Sequence, residues 1–176
     1  INSSKTKRLE KLAYTDFLTG LSNRLFITER FEELEPNDNK FANVTCFAII
    51  DVDHFKKVND NYGHDAGDEV LQQTARKIAG LVRISDCVSR VGGEEFALLL
   101  TDLPREKAER VLEKVRTAIE GNAITIDKNQ SIKVTVSIGA TELKAEDEFN
   151  SAYKKADLAL YKSKRDGRSR VSWSSN

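Results

Sequence analysis

The sequence predicts a mixed α/β fold in which helices pack on a single central β-sheet. Two observations carry this expectation. Strand-length apolar runs alternate with amphipathic helical segments, and in two places neighbouring strands are separated only by a short turn. A chain of 176 residues with 39% hydrophobic content is the size of one domain and can fill one core.

The elements read in order as follows. Thr6 to Tyr14 is a charged helix with Leu9 and Leu12 on one side, too short to stand alone and suited to be the end of a helix entering the domain. Arg24 to Leu34 is a second helix, ended by a loop at Pro36, Asn37, Asp38 and Asn39. Val44 to Ile50 (VTCFAII) is a continuous apolar run, as expected of a central strand covered on both faces. Phe55 to Tyr62 is a short helix stopped by Gly63, followed by a longer one that Asp65 can cap and whose stripe is Leu71, Ala75, Ile78, Leu81 and Val82. Cys87 to Val91 and Phe96 to Leu100 form a hairpin around GGEE, with the glycines expected at positive φ. Pro104 opens a helix that Gly121 closes; Ala123 to Ile126 and Ile132 to Ile138 are strands around the polar turn DKNQ. The last helix runs from about Phe149 to Arg165, and Val171 to Trp173 closes the sheet.

The 28 basic residues cancel the 28 acidic ones, so no global field draws the chain to nucleic acid or to an anionic membrane; phosphate chemistry must be local. No apolar stretch is long enough to cross a bilayer, and the opening INSSKTKRLEKL is polar and helical rather than a signal peptide. Cys46 and Cys87 sit in apolar runs as buried reduced thiols, which fits a cytoplasmic protein. With Ile1 first and no methionine anywhere, the expectation is a piece of something longer.

Chemistry concentrates in four places. A buried strand ending in IIDVD places Asp51 at the rim of a sheet, where the strand fixes its direction; Asp53 could share its face, and Val52 offers a backbone carbonyl to a hard cation. The alternative is a pair of solvated strand-end acids. An EF-hand is a poor match, since Phe55 stands at the third ligand position and no glycine follows it. At the hairpin, alternation sends Glu94 and Glu95 to opposite faces, so that only one meets Asp51, and Gly92 and Gly93 let a bulky anion approach the backbone unless they serve the turn alone. Lys164 and Arg168, four apart at the exit of the last helix, could grip a triphosphate or simply answer the helix dipole. Asn59 and Asp68 pair an amide with a carboxylate, groups suited to the donor-rich edge of guanine, or else cap helix ends. His54 and His64 near Asp65 and Asp68 are read as structural or as backbone carriers rather than as a metal site.

Five motifs in order make the chain resemble the GGDEF domain family from Asp16 to Val171: DFLTGLSNR, DVDHFKKVND running into NYGHDAGDEVL, RVGGEEF, SIGAT, and ADLALYKSKRDGRSRV. Glu94 stands where many members have aspartate, and Ser163 and Ser169 replace the more usual alanine and asparagine. The resemblance implies a nucleotidyl-cyclase or palm-like fold, with residues 1–13 as the end of an N-terminal linker helix and 14–176 as the domain. It implies a diguanylate cyclase that condenses two GTP into cyclic di-GMP and pyrophosphate, with two Mg²⁺ ions per active site (Mn²⁺ as a substitute) held by Asp51, the Val52 carbonyl and Glu94. Asn59 and Asp68 would read guanine, amides around His54 and Phe55 with Lys56, Lys164 and Arg168 would bind phosphates, and Glu94 with Asp51 would be catalytic. Arg83 and Asp86 in RISD match the family's R-x-x-D product-inhibition site; the other reading is a surface ion pair. Implied partners are GTP, cyclic di-GMP as product and inhibitor, a second copy of the domain in a catalytic homodimer and an upstream sensory domain. The rival functions are a non-catalytic GTP or cyclic di-GMP binding module, and a distant nucleotidyl cyclase or palm with another substrate.

Overall fold

A computed structural model describes residues 2–35 and 42–175, so the expected loop at Pro36 to Asn39 lies outside the described residues. The elements are α1 (Asn2–Tyr14), β1 (Ser22–Asn23), α2 (Arg24–Glu32), β2 (Asn43–Val52), α3 (Phe55–Tyr62), α4 (His64–Ala79), β3 (Cys87–Arg90), β4 (Glu95–Pro104), α5 (Arg105–Glu120), β5 (Ile124–Asp127), β6 (Gln130–Ile132), β7 (Val136–Glu142), α6 (Phe149–Arg165) and β8 (Val171–Trp173). Six strands form one mixed sheet in the order β1-β3-β4-β2-β7-β8, and β5 and β6 pair apart as a small hairpin.

The apolar run of β2 lies at the centre of the sheet, antiparallel to β4 on one side and to β7 on the other. Its residues are fully buried from Cys46 onward because both faces are covered. Cys46, Ala48, Ile50 and Val52 face Val70, Leu71, Ala75 and Ile78 of α4 and Leu112, Val115 and Ile119 of α5. The alternate residues Phe47 and Ile49 face Ile27 and Phe31 of α2 and Phe149, Ala152, Ala156 and Leu160 of α6. Burying each large side chain contributes about 1.5–3 kcal/mol, so this three-layer core fixes β2 as the rigid element from which Asp51 projects. Among the described residues, no helix is long and apolar enough to cross a membrane.

Several expectations shift in detail. Asp65 does not cap α4: it lies in the helix's first turn, and the cap position is Gly63, with no side-chain bond. Leu81 and Val82 fall beyond the helix end, although both still pack on the core. Neither Gly92 nor Gly93 has a positive φ; the glycines that do are Gly20, Gly63 and Gly167. The stretch from Ile132 to Ile138 is two strands, because residues 133–135 leave the ladder: the Thr135 carbonyl accepts from the Asp53 amide at 2.9 Å and its hydroxyl donates to Asp53 at 2.7 Å.

Candidate active site

At the end of the sheet where β2 runs into α3, a cleft of about 550 Å³ opens between the β3–β4 turn and the α3–α4 pair. Asp51, Arg90, Glu94 and Glu95 come to it from the sheet and the β3–β4 turn, and Phe55, Asn59, His64 and Asp68 from α3 and α4. Asn59 lies one turn after Phe55 on α3, so both side chains reach the same opening.

The acids are closer together than strand alternation implies. Glu95 is the first residue of β4 and stands directly opposite Asp51 in the antiparallel register, which puts the two side chains on one face. Glu94 sits in the turn rather than in the strand, so alternation does not govern it, and its carboxyl also feels the charge of Asp51. The expectation that only one glutamate meets Asp51 is therefore corrected: both do. Burial raises the proton affinity of Asp51; burial first and then the negative charge of Asp51 raise those of Glu94 and Glu95.

Lys164 answers all three carboxyls. Lys164 Nζ lies 2.9 Å from Asp51 Oδ2. Burial pulls Lys164 down, but the bond to Asp51 and the fields of Asp51, Glu95 and Glu94 outweigh it and raise its proton affinity. Arg168 does not share a helix face with Lys164, because α6 ends at Arg165 and Arg168 adopts a left-handed conformation (φ 65°) in the exit turn. His54 (φ 55°), Lys56 and Arg168 are exposed and stand outside the cleft wall. Val52 is buried, and its amide donates to the Glu94 carbonyl at 3.3 Å, which ties the strand end to the turn. Asp53 is not available to a ligand: it accepts from Thr135 Oγ1 and Ser137 Oγ at 2.7 Å and from the Ser169 amide at 3.2 Å.

Arg90 and Asp16 support the site through contacts that the reading of the sequence passed over. Arg90 donates to the Gly93 carbonyl from Nη2 at 2.8 Å and Nε at 3.1 Å, and its Nη1 pairs with Asp16 Oδ1 at 3.2 Å. Asp16 in turn accepts from the Thr19 amide and hydroxyl. The opening DFLTGL segment thus braces the glycine turn that carries Glu94. Gly92 packs against the Glu95 side chain.

Arg83 and Asp86 are brought together away from the cleft. Arg83 forms a bidentate pair with Asp86 (Nη2 2.8 Å, Nε 3.1 Å), and Asp86 also accepts from the amides of Arg83 at 2.9 Å and Thr101 at 3.3 Å. Thr101 is six residues along β4 from Glu95, roughly 20 Å at strand rise. The Asp86 side chain is 3% exposed and the Arg83 side chain 49%, so the arginine presents the accessible surface.

The donor set suits a hard divalent cation. It consists of carboxylate and carbonyl oxygens crowded to excess negative charge, without thiolate or imidazole in the cluster. Among the described residues, no three His, Cys, Asp or Glu side chains are arranged to complete a coordination shell by themselves.

The comparisons with known proteins agree with this geometry. The family model for "Diguanylate cyclase, GGDEF domain" matches residues 13–170. Diguanylate cyclase DgcP of Pseudomonas aeruginosa is 37% identical over 159 residues, 90% of this chain and 24% of that protein. Response regulator PleD of Caulobacter vibrioides is 37% identical over 163 residues, 92% of this chain and 36% of that protein. Among solved structures, diguanylate cyclase SiaD in complex with its activator SiaC from Pseudomonas aeruginosa superposes with a TM-score of 0.86 at 36% identity, covering 98% of this chain and 66% of that one. The coiled coil and GGDEF domain of DgcB from Caulobacter crescentus in complex with c-di-GMP gives 0.86 at 29% identity, covering 98% and 91%. The chain spans about a quarter to a third of the length of these two curated relatives. With the family model matched across the sheet, the acidic turn and the cleft, this chain belongs to the GGDEF family of diguanylate cyclase domains.

Proposed function

We propose that this domain is an active diguanylate cyclase, joining two GTP molecules into cyclic di-GMP. The observation that carries the reading is the meeting of Asp51, Glu94 and Glu95 in a cleft that Asn59 and Asp68 also line. Asn59 and Asp68 present an amide and a carboxylate to the guanine edge. Two Mg²⁺ ions, with Mn²⁺ as a substitute, would be held by Asp51, the Val52 carbonyl and Glu94, and would neutralise charge on the triphosphate and the departing pyrophosphate.

The chain's own groups do the positioning. At the start of α3 the Lys57 and Val58 amides donate to the His54 carbonyl, and the amides of Phe55 and Lys56, ahead of them, lie with His54 at the phosphate end. Lys164 exchanges its bond to Asp51 for a phosphate oxygen, and Arg168 reaches the triphosphate from the exit turn. The 3′-hydroxyl of each nucleotide attacks the α-phosphorus of the other; in each attack a P–O bond forms, the α–β bond breaks and pyrophosphate leaves, so the ring closes with the release of two pyrophosphates. Glu94, with its raised proton affinity, is the carboxylate placed to accept the hydroxyl proton. Each domain contributes one nucleotide, so two copies act face to face. The helix end before residue 14 links them to an upstream sensory domain, and cyclic di-GMP inhibits through Arg83, with Asp86 holding the guanidinium flat.

Incubation with GTP and Mg²⁺ followed by chromatography tests the reading. Cyclic di-GMP and pyrophosphate are expected from the wild type and neither from Glu94→Gln. GTP binding without product would instead make the domain a binding module.

A further inference from the structure

Gly67 lies inside α4, where alanine would be preferred and no turn requires a glycine. A Cβ at this position would fall 1.9 Å from Asn59 Oδ1, 3.0 Å from Asn59 Cγ and 3.2 Å from Phe55 Cζ. The two helices are folded together by the corner at Gly63, whose amide donates to the Asn59 carbonyl at 2.9 Å and whose carbonyl accepts from the Gly67 amide at 3.2 Å. The side chain of Asn59 therefore lies with its Oδ1 against the bare backbone of α4, and the half-buried residue lines the cleft. Among the described residues, no side chain hydrogen-bonds the Asn59 amide, so close packing against Gly67 is what sets its direction.

We infer that Gly67 is a specificity-positioning residue: the missing side chain seats the Asn59 amide at the angle needed to meet a purine base. The inference rests on the reading of Asn59 as a base-contacting group. The clashing atoms belong to the end of a rotatable side chain, so a methyl group at position 67 turns Asn59 away rather than breaking the fold. Alanine also improves the helix. Stability and base recognition are thus expected to move in opposite directions, which a merely structural glycine does not do.

The test is calorimetric binding of α,β-methylene GTP and its adenosine counterpart, each with Mg²⁺, to four proteins: wild type, Gly67→Ala, Asn59→Ala and the double variant. Gly67→Ala is expected to melt at or above the wild-type temperature and to bind the guanosine analogue at least tenfold more weakly, with little change for the adenosine one. The double variant is expected to bind like Asn59→Ala, since the clash disappears with the amide. Wild-type affinity in Gly67→Ala, or losses that multiply in the double variant, would overturn the inference. So would a Gly67→Ala protein that fails to fold together with the double variant, because the strain would then lie in the backbone and not in the Asn59 side chain. If Asn59→Ala alone retains wild-type guanosine affinity, the base-reading role of Asn59 falls first and this inference falls with it.

Discussion

Replacing Glu95 by glutamine tests whether the acidic wall is built against its own stability. Asp51 and Glu95 oppose each other directly across β2 and β4, with Asp51 5% exposed. Two charges roughly 6 Å apart repel by about 1.4–2.8 kcal/mol at an effective dielectric constant of about 20–40. Lys164 and the solvent reaching Glu95 remove about half of this, leaving about 1 kcal/mol to be gained when one charge is removed. For a domain of this size that is a rise in melting temperature of about 2–4 °C. The pH dependence follows from the direction of the shifts. Burial and Asp51 raise the proton affinity of Glu95 in the folded protein, so its contribution to stability is present below the unfolded carboxyl pKa and is lost as pH rises through the folded one. Glu95→Gln should therefore melt above the wild type at pH 7 in the presence of a chelator and match it near pH 4. Millimolar Mg²⁺ should raise the wild type more than the variant, by neutralising the repulsion that the variant lacks. Scanning calorimetry at the two pH values, with chelator and with Mg²⁺, reads all of this. A variant less stable than the wild type at pH 7, or a difference that does not change between pH 4 and pH 7, would refute the argument.

Other perturbations reach other parts of the molecule. Arg83→Ala should relieve inhibition by cyclic di-GMP without lowering initial turnover, and should cost about 1–3 kcal/mol because Asp86, 3% exposed, loses its bidentate partner; inhibition assays and denaturant titration check the two parts. At Gly139 of β7, an added Cβ would fall 2.1 Å from the Leu160 amide and 2.2 Å from the Ala156 carbonyl, both backbone atoms of α6, so Gly139→Ala should destabilise the domain by about 3 kcal/mol or more, seen as loss of the cooperative unfolding transition at 37 °C. Cys46 is buried with its thiol pushed up to about 12, and burial also raises Cys87, so neither should react with a thiol reagent at pH 8 until denaturant is added; labelling of the native protein would contradict the packing.

How far the sequence could be read depended on the distance over which each feature is determined. The bounds of α3 and α6 match the expected ones because local signals set them: Gly63 stops α3, and α6 ends just before Gly167. The central position of β2 was equally legible, since a run without polar interruptions can be satisfied only with cover on both faces. Asp51, Glu94, Asn59 and Asp68, named from four separate segments, do line one cleft. What the residue pattern could not supply is register. Glu95 joins the site because β4 pairs with β2 at that offset and no other, and a slip of one residue would have turned it away. Alternation within GGEEF was misleading because Glu94 is not in a strand at all. Arg90 and Asp16 are 74 positions apart, and neither carries a local mark of the pairing that braces the glycine turn. Gly67 is the sharpest case: in the sequence it is an unfavourable residue in a helix, and only the approach of Asn59 from another helix explains it. The site therefore consists of groups that chemistry can identify one at a time and of a geometry that exists only once the sheet register and the α3–α4 corner have formed. For that reason, substitutions that disturb geometry without touching a reacting group, Gly67→Ala first among them, separate the two contributions most cleanly.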